Sequence, residues 1–187
     1  NYMKKIILLS FSVLLVCGYV SAQTTATNFT CNDCAGTSHT LFNELDAGKV
    51  IVVSFVMPCA SCIGPSQTAY TCVQGFATSN PGRVLFYIAD DVGTTACSTI
   101  NSWATTNSMP TSTKFSNTAF VMADYGTSGM PKVVVLGGPN HTIFYNANNS
   151  VSASAINTAI TNALNATTGI AEVENIFSYT TFPNPVV

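Results

Sequence analysis

The sequence predicts an α/β domain, with a mixed central sheet and helices on both faces, and three observations carry that expectation. Apolar runs at 49–56, 83–89 and 132–136, the first of them rich in β-branched residues, read as buried strands. Segments of helical period separate and follow them. The tetrapeptide Cys59-Ala60-Ser61-Cys62 directly follows the first run, which places two thiols three residues apart where a strand hands over to a helix.

From Asn28 the chain is polar and rich in turn formers, then gives a short helical piece over 41–45 and the central strand 49–56. A helix is expected from 59 to about 78, with Tyr70, Val73 and Phe76 inward and Pro65 close enough to its start to kink it without ending it. Asn80-Pro81-Gly82 stops that helix, strand 83–89 follows, and Asp90-Asp91-Val92-Gly93 forms a polar loop. A helix over 96–107 carries Ile100, Trp103 and Ala104 on one side. Within 109–129, Phe120, Val121, Met122 and Tyr125 suggest a further short helix. Strand 132–136, the turn Gly137-Gly138-Pro139-Asn140 and strand 142–145 make a hairpin. A last amphipathic helix over 151–164 presents Val151, Ala155, Ile156, Ile160 and Leu164. The order β-α-β-α-β-β-α, with two parallel crossovers and a closing hairpin, gives the mixed sheet.

The first 22 residues read as an export signal. Lys4 and Lys5 precede an apolar stretch from Ile6 to Val20, and Ser21-Ala22 are small residues suited to cleavage. The stretch is shorter than the roughly twenty apolar residues of a membrane span, so no span is expected in the mature protein. Acylation at Cys17 is disfavoured because Val16 stands where a small residue is wanted. Residues 23–166 suffice for one domain, and 167–187 read as a linker and the start of a further segment. Without Lys4 and Lys5 there are four basic and eight acidic side chains, which argues against nucleic acid as a partner. Charged residues are only 7% of the chain, so the surface must be built from Thr, Ser and Asn, and its glycosylation sequons are chance products of that composition.

Six cysteines follow the signal, in a compartment that permits disulfides. At Cys59 and Cys62 the helix start favours a thiolate, and a one-turn separation lets the second sulfur attack the first. Cys31-Asn32-Asp33-Cys34 is a second pair, in a polar segment. It fits a structural disulfide, a relay partner for Cys59 and Cys62, or half of a zinc site; an oxidising address and a buried strand at the first pair argue against metal. Cys72 and Cys97 either pair with each other or sit as small apolar residues. His39 and His141 are expected at the solvated surface.

These features resemble exported thioredoxin-fold proteins of the TlpA-like and redoxin type, over residues 28–164. The landmarks are Gly48-Lys49-Val50 ahead of the strand, the Cys59-Ala60-Ser61-Cys62 motif, and Gly129-Met130-Pro131 ahead of the third strand. The resemblance implies a thiol-disulfide oxidoreductase without cofactor or metal, acting as a monomer on protein thiols and disulfides with a separate redox partner. Cys59 would attack and Cys62 resolve, while Pro131 would be cis and Met130 would offer backbone hydrogen bonds to substrate. The departures are Pro58 where many relatives place Trp, Ser54 in place of a buried acid, and an Ala60-Ser61 dipeptide without His or Lys. Peroxiredoxin chemistry is disfavoured because Val56 stands where that family has Thr. Phe182-Pro183-Asn184-Pro185 resembles the opening of a type IX secretion C-terminal sorting domain, which would imply delivery to the cell surface or beyond; the alternative is a disordered Pro-rich terminus. Sparse charge also leaves open a secreted binding or adhesive module with a locked disulfide.

Overall fold

The computed structural model describes residues 23–168 apart from Thr127. The chain runs β1 (Thr30–Asn32), β2 (Ser38–Thr40), α1 (Leu41–Asp46), β3 (Val50–Val56), α2 (Ala60–Gly75), β4 (Val84–Asp90), α3 (Cys97–Thr106), β5 (Thr113–Phe115), a 3-10 turn (Met122–Tyr125), β6 (Lys132–Gly137), β7 (Thr142–Asn148) and α4 (Ala153–Thr168).

β3 is the centre because every one of its side chains is buried. Alternation sends Val50, Val52 and Val56 to one face of the sheet and Ile51, Val53 and Phe55 to the other, so both faces need cover. The sheet order is β5-β4-β3-β6-β7, with β3, β4 and β5 parallel and β6 and β7 antiparallel to their neighbours. The three longer helices close the first face, contributing Cys62, Ala69, Val73, Ile100, Ala104, Ile156 and Ile160. The second face is closed by α1, the β1–β2 hairpin and the 3-10 turn around a set of aromatic rings. Phe29 stacks on Phe120 at 4.0 Å between centroids, and Phe55 meets Tyr125 at 5.4 Å.

Ser54 is the one polar side chain on β3. It is tolerated because its Oγ shares a 2.7 Å hydrogen bond with Ser66 Oγ of α2, both side chains being fully buried.

Several boundaries differ from expectation. α2 ends at Gly75, with Phe76 as its cap, and β7 runs on to Asn148. α4 continues to Thr168, so the linker expected from 167 begins inside its last turn. Residues 109–129 hold a three-residue strand, β5, as well as the short helical turn. The export segment 1–22 and the sorting motif near Pro183 lie outside the described residues.

Candidate active site

β3 ends at Val56, Met57-Pro58 links it to α2, and Cys59 is the N-cap of that helix. The cap position gives the two thiols different surroundings. Cys59 is half-buried, whereas Cys62, one turn into the helix, is fully buried in the core. Their sulfurs lie 2.8 Å apart. Cys59 Sγ also lies 3.1 Å from Ser61 Oγ, and Cys62 Sγ lies 3.2 Å from Met57 O.

Burial pushes the Cys59 thiol up, but hydrogen bonds from the Cys62 and Ser61 side chains and from their backbone N–H groups outweigh it and leave the thiol below its ordinary value. For Cys62, burial and the hydrogen bond to Cys59 push the thiol up to about 11. The half-exposed sulfur is therefore the better nucleophile and the buried one the better held in reserve.

The neighbouring strands complete the rim. β6 pairs antiparallel with β3 from Ile51↔Leu136 to Phe55↔Lys132, and continuing that register sets Pro131 opposite Val56. The Met130–Pro131 peptide is cis. Lys132, next in the chain, is buried; its Nζ donates to Tyr125 O at 2.6 Å and to Asn146 Oδ1 at 3.3 Å, and burial lowers its pKa.

On the other side Asp90 pairs with Val56. This carboxylate is fully buried: Oδ2 accepts the N–H groups of Thr94 and Thr95 at 2.7 and 3.0 Å, and Oδ1 has no partner among the described residues. Asp91 follows, its carboxyl raised by burial and then by the Asp90 charge. Gly93 closes the loop at φ +74°, where a Cβ would lie 2.4 Å from the Asn117 backbone, so no other residue fits there.

The other cysteines depart from the spacing-based expectation. The disulfide joins Cys34 to Cys97, 63 residues apart, while Cys31 and Cys72 are buried thiols. Neither Cys31–Cys34 nor Cys72–Cys97 is formed. Cys31 faces inward beside its cross-strand partner His39, and Asp33 reaches the same His39. Cys34 lies past the end of β1, in the turn that leads to β2, and there it meets Cys97 at the start of α3. The zinc alternative needed all four close-spaced cysteines as thiolates, and Cys34 is committed elsewhere. Cys72 points between α2 and α4, its Sγ 3.6 Å from Ala153 O. Burial raises both free thiols, with the Asp33 charge adding to it at Cys31.

His39 is not at the solvated surface. Its Nδ1 lies 2.7 Å from Glu44 Oε1 and its Nε2 3.3 Å from Asp33 Oδ2, its ring packs edge-on against Phe115, and the Tyr87 hydroxyl donates to the other oxygen of Glu44. His141 stacks on Phe42 at 3.7 Å and meets Asp46 at 2.8 Å.

No protein-family description and no curated protein matches the chain. Solved structures do match over most of its length. A secreted disulfide oxidoreductase of Mycobacterium tuberculosis is 17% identical, covering 72% of this chain and 95% of its own, with a TM-score of 0.54. A thiol:disulfide interchange protein from Bacteroides sp. is 14% identical over 85% and 98%, at 0.58. A thioredoxin-like protein from Aeropyrum pernix is 11% identical over 86% and 99%, at 0.57. The fold is thioredoxin-like.

Within this thioredoxin-like fold, the sequence reading missed three residues that border the site. Asp90 could have been found as an acid closing a buried strand ahead of two Thr residues, and Ser66 as the residue four on from Cys62, one helical turn away. Trp103 was placed on the core side of α3, and it does pack against the core while also lining a groove beside Pro58. Among the described residues no helix is long and apolar enough to cross a membrane.

Proposed function

We propose that the chain is an exported thiol-disulfide oxidoreductase that exchanges the Cys59–Cys62 dithiol with the disulfides of protein substrates. The observation that carries this reading is the asymmetric pair itself: two sulfurs 2.8 Å apart, one half-exposed with a lowered thiol pKa, the other buried with a raised one.

In the reducing direction the Cys59 thiolate attacks one sulfur of a substrate disulfide. That bond breaks, a mixed disulfide forms, and the released substrate thiolate takes up a proton. Cys62 then loses its proton and attacks Cys59 Sγ. The substrate leaves as a second thiol, and the Cys59–Cys62 disulfide holds the two oxidising equivalents. The oxidising direction is the reverse. In this reading Met130 and Pro131 support an extended substrate segment at the rim, as in the proteins that the sequence resembles. Ser54 and Ser66 bond each other beneath the site and supply no carboxylate base for the Cys62 proton.

Replacing the resolving cysteine tests the reading. In Cys62→Ala the mixed disulfide at Cys59 cannot be resolved, so substrate proteins accumulate covalently bound and are released by reductant. If nothing is trapped, and the parent protein neither reduces insulin nor equilibrates with glutathione, the pair is a structural element of a binding module.

A further inference from the structure

Pro58, the residue before the nucleophile, lines an open groove of about 480 Å³ together with residues of α3, including Thr99, Ser102, Trp103 and Thr106. Three features of this groove point to a ligand. None of its lining residues is charged, and most present hydroxyl or amide groups. The Trp103 indole forms part of the wall, and its Nε1–H is a covered donor with no acceptor among the described residues. At the Pro58 end, Met57 and Val92 are the large apolar side chains most exposed among the described residues, at 53% and 54%. The strand ends that carry them are joined by the Asp91 N–H to Val56 O hydrogen bond.

An apolar rim at the nucleophile, an uncharged hydroxyl-lined wall and a donor lacking an acceptor complement an extended polypeptide, which carries a backbone carbonyl at every residue. We infer that this groove seats an uncharged, extended segment of the protein substrate, running from Cys59 along α3, with Trp103 as the specificity-determining wall. The inference rests on the oxidoreductase reading for its covalent step, and it adds which substrates are taken. The indole must turn to bring Nε1–H to a substrate carbonyl, so its environment reports occupancy. Since the chain holds one tryptophan, emission reads that residue alone.

The test uses the full chain carrying Cys62→Ala and three peptide disulfides of equal length, built from Ser, Thr, Asn and Gly, with either no charge, two Lys or two Glu beside the cysteine. Rates of mixed-disulfide formation at Cys59 are compared with the rate for glutathione disulfide, which is too short to run along α3. Ser102→Glu should lower the peptide-to-glutathione ratio about tenfold for the Glu peptide and raise it for the Lys peptide. Trp103→Phe, which keeps a ring and removes the donor, should lower the ratio for all three.

In parallel, the uncharged peptide with Ser in place of Cys should change Trp103 emission in a saturable way. Ratios insensitive to both substitutions, or emission unmoved by peptide, overturn the groove assignment while leaving exchange at Cys59 standing. A Cys59 inert to peptides and glutathione alike, with the emission titration intact, overturns the oxidoreductase reading and leaves the groove. An emission change that follows protein concentration instead of peptide marks a second copy as the occupant and overturns the proposal.

Discussion

The pair Cys59 and Cys62 and the pair Cys34 and Cys97 differ in what their sulfurs close. The first spans one turn at the start of α2, so joining the sulfurs constrains little that the helix has not already fixed. The second spans 63 residues and ties the β1–β2 turn to the start of α3; a loop of that length removes about 4 kcal/mol of unfolded-chain entropy at 25 °C. A short closure can open and close while the fold stands, and a long one is part of why the fold stands. Cys59 and Cys34 are both half-buried, but Cys59 follows the Pro58 that lines an open groove, while the Cys34 backbone N–H bonds Lys114 O of β5 at 2.8 Å.

The contrast breaks most directly at the long closure. Cys34→Ala should lose about 4 kcal/mol in urea unfolding, and reductant should bring the parent to the same level. A variant as stable as the parent would show that the strap carries no stability and that loop length is the wrong distinction. Next in size is the cluster under the same hairpin. His39→Leu leaves the Asp33 and Glu44 carboxylates, only 10% and 12% exposed, without their shared partner, and should cost about 3 kcal/mol by the same measurement.

At the short closure the expected losses are smaller. Ser54→Ala strands Ser66 Oγ in the core and should cost about 1–2 kcal/mol, whereas Ser54→Ala with Ser66→Ala should recover part of that loss. Strict additivity of the two would mean that the hydroxyls do not act as a pair.

The finest distinction is electrostatic. Cys62→Ala removes a hydrogen bond that lowers the Cys59 pKa, so the midpoint of its alkylation rate against pH should move upward. The sign for stability differs between the two sulfurs in the reduced protein. Cys59, with its folded pKa lowered, contributes stability that is present above the unfolded thiol pKa and fades as pH falls through the folded value. Cys62, raised from 9.0 to about 11, contributes stability that is complete below the unfolded value and is lost as pH rises across that interval. Urea midpoints of the reduced parent and of Cys62→Ala, followed from neutral to alkaline pH, separate the two.

What the sequence made legible follows from length and burial. β3, β4 and β6 are runs of six or seven residues buried over most or all of their length, and a continuous apolar pattern reports that directly. β1, β2 and β5 are three residues each, too short for any period to register; β1 and β2 pair only with each other, and β5 adds to the edge of β4. The close-spaced dithiol was legible because its chemistry is local. The Cys34–Cys97 bond was not, since it depends on where α3 lands after the crossover from β4. His39 was misplaced for a similar reason: beside Glu44 of the adjacent α1, its surroundings come from β4 and β5, both distant in sequence, and turn formers nearby suggested solvent instead.

The order in which the cysteines appear gives the long closure a further meaning. As the chain emerges from its N-terminus, Cys31, Cys34, Cys59, Cys62 and Cys72 are all present before Cys97. A process that joined cysteines in order of appearance would use up Cys34 on one of its predecessors or near neighbours. The bond to Cys97 can form only once β4 and α3 have been delivered to the β1–β2 turn. It is therefore a record of completed assembly, and mapping that one bond by peptide mass distinguishes chains that folded before they were oxidised from chains that were oxidised first.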